Sequence, residues 1–188
     1  TYKNLLKYNA DRKPYHYYVT EEQQTGYKPP EYLDGDSYSA ANNGTYSETI
    51  INTATALSLD KISTILDGEG QPVKLNNVTL GFEMTDGGVT WKLTWSRNAS
   101  GIETYTLMKG ETAWSSGQGS DSNKQVTVTG LPAGTWELKS ESTPNCYTMP
   151  ESAAFTMEND GTISSTSGSI TPGDDKLSIR VEDEPTGL

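Results

Sequence analysis

Along most of this chain apolar residues recur at every second position, the spacing of side chains on one face of a β-strand rather than of a helix. Leu57, Leu59 and Lys61 share one such face, and Val78, Leu80, Phe82 and Met84 share another. Val89 to Trp95 and Glu103 to Met108 read as paired strands joined at Asn98-Ala99-Ser100-Gly101. Further strands are expected at Val126 and Val128, at Trp136, Leu138 and Ser140, at Phe155 and Met157, and at Leu177, Ile179, Val181 and Asp183. Turn formers separate them: Asp67-Gly68-Glu69-Gly70, Asp86-Gly87-Gly88, Leu131-Pro132-Ala133-Gly134 and Asn159-Asp160-Gly161. Ser115 to Lys124 reads as a polar loop. Short strands with turns roughly every 8 to 12 residues are the pattern of a β-sandwich, so the fold class is all-β.

The chain divides unevenly. Residues 1–53 carry the alternation Tyr15, Tyr17, Val19 toward Glu21, a turn at Thr25-Gly26-Tyr27, a polar loop and a returning strand from Tyr46 to Ile51. That is roughly three strands, too few to close a two-sheet core. Residues 54–188 hold enough strands for a complete sandwich.

Charge and composition exclude several function classes. A net charge of -11, with no Lys/Arg cluster, makes nucleic acid and anionic membrane poor partners. No apolar run approaches the roughly 20 residues that cross a bilayer, and any targeting or anchoring element is expected outside this sequence. The single cysteine, Cys146, allows no internal disulfide and no paired-cysteine metal site. The single histidine, His16, lies in Tyr15-His16-Tyr17-Tyr18-Val19 and reads as a solvent-facing strand residue rather than a catalytic base. Asp34-Gly35-Asp36 and Asp174-Asp175 lack the spaced acidic ligands of a calcium loop. Neither metal, cofactor nor enzymatic turnover is expected. Trp91, Trp95, Trp114 and Tyr105 are candidates for an aromatic platform that stacks a carbohydrate or host ligand; the shared face of Trp91 and Trp95 fits core packing as well.

Two regions share a skeleton. The first contains Tyr2-Lys3-Asn4-Leu5-Leu6-Lys7-Tyr8-Asn9, Tyr17-Tyr18-Val19-Thr20-Glu21-Glu22, Gly26-Tyr27 and Ile50-Ile51-Asn52-Thr53. The second contains Gly130-Leu131-Pro132-Ala133-Gly134, Trp136 to Tyr147 and Val181 to Pro185. This resembles the Cna B-type domains of Gram-positive surface adhesins and pilins. The resemblance implies immunoglobulin-like modules: residues 1–53 as the C-terminal half of one, and residues 54–188 as a second with an insertion at about 88–124. It implies a structural stalk or spacer of an extracellular, wall-anchored protein, with neighbouring modules of the same protein as partners. A missing N-terminal fragment or another chain would complete the first domain. The alternative is a host-ligand or carbohydrate-binding module that uses the aromatic residues of the insertion.

The resemblance also implies chemistry. Many such domains join a lysine of the first strand to an Asn or Asp of the last through an isopeptide bond, assisted by a buried acid. Carried onto this chain, the first region supplies Glu21 as acid and Asn52 as acceptor, with its lysine outside the chain. The second supplies Lys61 and Asp183, with Ser140 at the position of the acid and Glu141 expected on the opposite face. An amide between Lys61 and Asp183 and a noncovalent ion pair both remain open on this reading. The only catalysis implied is single-turnover and autocatalytic.

Overall fold

The structure, a computed structural model, describes residues 4–33, 38–39, 47–142, 144, 146–147 and 152–186; Asp34-Gly35-Asp36 falls outside them. It divides into two compact units, Thr1–Gln24 with Pro29–Thr53, and Thr25–Lys28 with Ala54–Leu188.

The first unit contains four two-residue strands: β1 (His16–Tyr17), β2 (Glu31–Tyr32), β3 (Tyr38–Ser39) and β4 (Ile50–Ile51). Antiparallel pairs β1–β3 and β2–β4 form two separate ladders. No hydrophobic side chain of this unit is buried among the described residues, and Leu6, Tyr18 and Leu33 are more than half exposed. The long alternating strands expected here shrink to these short ladders, because so few strands provide no second layer to pack against.

The second unit is a two-sheet sandwich. Its strands are β5 (Ala56–Leu66), β6 (Pro72–Lys74), β7 (Val78–Asp86), β8 (Val89–Arg97), β9 (Glu103–Lys109), β10 (Thr112–Gln118), β11 (Thr127–Thr129), β12 (Gly134–Ser142), β13 (Ala154–Met157), β14 (Ile163–Ser167), β15 (Ile170–Pro172) and β16 (Ser178–Asp183). A seven-stranded sheet has the order β10-β9-β8-β7-β12-β13-β14, and a five-stranded one runs β11-β5-β16-β15 with β6 beside β5. All pairs are antiparallel except β5 with β16, the first and last strands of the unit, which lie parallel.

The alternation explains the core. Leu57 and Leu59 from one sheet face Leu80, Phe82, Leu93 and Trp136 from the other, all at most a few per cent exposed, while the intervening residues reach solvent. Gly87 and Gly88 join β7 to β8 at φ 55° and 81°, the pair of left-handed residues that a tight hairpin needs. Phe155 stacks on Trp136 at 6.4 Å and meets Phe82 edge-on at 5.5 Å, so β13 contributes an aromatic ring to the core.

Within the segment 88–124, β8 and β9 are interior strands of the larger sheet and bring Trp91, Leu93, Trp95 and Leu107 into the core. One expectation is corrected: part of the expected loop Ser115 to Lys124 is strand, since β10 runs to Gln118 and pairs with β9.

Candidate functional site

The site lies between the two sheets, where β5, β12 and β16 place Lys61, Glu141 and Asp183 together. Lys61 continues the inward row of Leu57 and Leu59, and Asp183 continues that of Ile179 and Val181. Parallel pairing sets Lys61 beside Val181 and Asp183 beside Ser63, so the two side chains sit two positions apart along one inner face. The Lys61 ammonium is paired with both the Asp183 and the Glu141 carboxylates, and all three side chains are fully enclosed.

Glu141, expected on the opposite face with Ser140 at the assisting position, instead turns inward onto Lys61. Strand β12 carries a β-bulge: Leu138 lies opposite Phe82, Ser140 opposite Gly81 and Glu141 opposite Leu80, which leaves Lys139 as an extra residue. Lys139 and Ser140 are both exposed, and the bulge reverses the alternation so that Glu141 points inward like Trp136 and Leu138. Its cross-strand neighbour Leu80 stands beside Trp95, and both are completely buried, so the carboxyl is set in an apolar sheet face.

Two carboxylates facing one ammonium in a dry site leave one negative charge in excess. Burial raises the Glu141 carboxyl up to about 6; Lys61 pulls it down, and the Asp183 carboxylate adds to the rise. Glu141 Oε2 and Asp183 Oδ2 are buried without a hydrogen-bond partner, a cost that falls hardest on the charged form of each acid. The site therefore holds the Lys61 ammonium and two carboxyl groups, of which Glu141 is shifted toward its neutral form, within reach of one another.

In the first unit, Asn52 Nδ2 donates to Glu21 Oε1 at 2.9 Å, and the Glu21 backbone N–H donates to the Tyr32 hydroxyl at 2.7 Å. The two residues singled out in the sequence thus meet, at a position where Asn52 is exposed.

The aromatic candidates do not form a platform. Trp91, Trp95 and Tyr105 are 2%, 0% and 5% exposed, and the Tyr105 hydroxyl is bonded to Thr129 Oγ1. Trp114 alone is exposed; its indole N–H donates to the Gly130 carbonyl at 3.1 Å and its ring stands edge-on to Trp91 at 5.2 Å. It closes the gap between β10 and the loop after β11. Asp175 accepts from the Leu177 N–H and the Ser178 hydroxyl and so caps its own turn, which lowers its pKa. His16 is an exposed residue of β1.

Sequence reading missed a second buried ionic cluster. Arg97 and Glu103, cross-strand partners on β8 and β9, are 3% and 1% exposed and joined by Arg97 Nη2 at 2.8 Å. The signal was present: Arg97 ends the inward row Trp91, Leu93, Trp95, and Glu103 opens the row Tyr105, Leu107.

Comparison of the chain with protein-family models, with curated protein sequences and with solved structures finds no match.

Proposed function

We propose that the second unit is an immunoglobulin-like module of Cna B type that crosslinks itself through an amide between Lys61 and Asp183, and that the chain serves as a load-bearing stalk of a Gram-positive cell-surface protein. The observation that carries this reading is the fully enclosed trio Lys61, Glu141 and Asp183, placed on the first, a central and the last strand of the sandwich. A proton passes from the Lys61 ammonium to the Asp183 carboxylate, leaving a neutral amine and a neutral acid. Protonated Glu141 hydrogen-bonds the Asp183 carbonyl oxygen as Lys61 Nζ attacks Cγ. The C–N bond forms, a C–O bond breaks, and Glu141 relays the nitrogen's proton to the departing hydroxyl, which leaves as water. Glu141 ends as it began.

Intact-mass measurement tests the reading: a mass below that of the linear chain by one water, about 18 Da, is expected from the stoichiometry of amide formation. A tandem mass spectrum should then place the link between the peptides carrying Lys61 and Asp183. An unaltered mass overturns it.

The first unit, on the same proposal, is completed by a further polypeptide segment. Its exposed Leu5, Leu6, Tyr8, Tyr18 and Leu33 and its unburied strand ladders favour addition of a strand supplied by a neighbouring module or another chain.

A further inference from the structure

Lys61 sits in a gap of its own sheet. On the edge of β5 away from β16, β11 pairs with Ala56 to Ser58, whereas β6 pairs only at Ile62 and Leu66 with an irregular register between them. The main chain at Lys61 therefore lies between two partial partner strands. Its carbonyl is held instead by the Leu75 N–H at 3.0 Å and by Arg97 Nη1 at 3.1 Å.

Arg97 comes from the opposite sheet and fills this gap with all its donor positions. Nη1 also reaches the Leu75 carbonyl at 3.2 Å, Nε and Nη2 both bond Glu103 Oε1, and Nη2 bonds the Asp60 carboxylate. The five N–H donors of a guanidinium are thereby used. Glu103 is fixed in turn, since its Oε2 accepts from the Val126 N–H at 3.0 Å. A planar, rigid fork so anchored holds a backbone position more firmly than a flexible ammonium would. An amine attacking a carboxyl carbon depends on placement to within a fraction of an ångström, and a misplacement of about 1 Å costs on the order of a hundredfold in rate.

We propose that Arg97, anchored by Glu103 and Asp60, is a positioning residue for crosslinking: it fixes the main chain at Lys61 so that the amine meets Asp183. This rests on the crosslinking reading of Lys61, Glu141 and Asp183. Arg97 does not touch the reacting atoms and acts only through the β5 backbone.

The test follows the loss of water by intact mass over time after cell-free synthesis of the full chain, with folding checked by circular dichroism. Arg97→Met is expected to crosslink at least about tenfold more slowly than wild type, and Arg97→Lys to recover part of that loss. Met157→Ala, a cavity in the core on β13, is the control: it lowers the melting temperature but crosslinks at the wild-type rate. Should Arg97→Met fail to fold, Arg97→Lys and Glu103→Gln make the same comparison. Wild-type rates in the Arg97 variants, or an equal slowing in Met157→Ala, overturn the positioning role. A wild-type chain that never loses water overturns the crosslinking reading itself.

Discussion

Glu141 is the residue on which the proposed chemistry of the second unit turns, and its environment dictates how it behaves. A carboxyl raised to about 6 is held as the neutral acid in mildly acidic solution, and is increasingly ionised above that. In the uncrosslinked chain the folded state binds this proton more tightly than the unfolded state, whose ordinary value is 4.5. The associated stability is therefore complete below pH 4.5 and is lost as pH rises through about 6. Crosslinking should follow the same proton: intact-mass time courses are expected to run faster at pH 5 than at pH 8. Glu141→Gln preserves shape but cannot exchange protons, so the chain should fold and keep its linear mass. Asp183→Asn should still crosslink, with ammonia as the leaving group, and lose about 17 Da in place of water. Lys61 and Asp183 were legible in the sequence because each extends an inward apolar row by one more step of two. Glu141 was not, because alternation counts residues and a bulge adds one.

At the scale of the element, β12 shows how one residue sets the site. The partners of Leu138, Ser140 and Glu141 are the consecutive residues Phe82, Gly81 and Leu80, so Lys139 alone is supernumerary. Deleting Lys139 makes the strand regular while leaving Glu141 two pairing positions from Leu138, hence still inward. Deletion of Lys139 is thus expected to retain crosslinking, whereas deletion of Lys139 and Ser140 together sends Glu141 to solvent and should abolish it. Intact masses of the two variants decide the point. Ser140 has room at its position because Gly81 opposite presents no Cβ, a detail that pairing reveals and sequence spacing does not. The strands with apolar alternation, from β7 to β9 and at β16, were legible for the same reason that the core is well packed. Strand β10, Thr-Ala-Trp-Ser-Ser-Gly-Gln, and β14, Ile-Ser-Ser-Thr-Ser, were not: they lie at the edges of the large sheet and show little alternation, so only their ladder hydrogen bonds mark them as strands.

At the scale of the whole second unit, topology would give the proposed Lys61–Asp183 crosslink its mechanical meaning. Because β5 and β16 are parallel, tension applied through the start of β5 and the end of β16 loads their ladder in shear, and the chain between them is what would unravel. Lys61 and Asp183 lie 122 residues apart in sequence, so an amide between them carries force directly across and shields everything in between. Closing a loop of that size also restrains the unfolded chain, by about 4 to 5 kcal/mol in the chain-entropy estimate. Loss of the bond therefore has two separable consequences. Glu141→Gln, with the linear chain intact, should melt at a lower temperature than wild type. Under single-molecule pulling it should release roughly 400 Å of contour length from the shielded segment, at about 3.4 Å per extended residue. The wild-type unit should give no such step at forces that unfold the variant, because covalent bonds rather than hydrogen bonds then bear the load. A wild-type chain that extends by the same length as the variant would show that the load path does not run through Lys61 and Asp183.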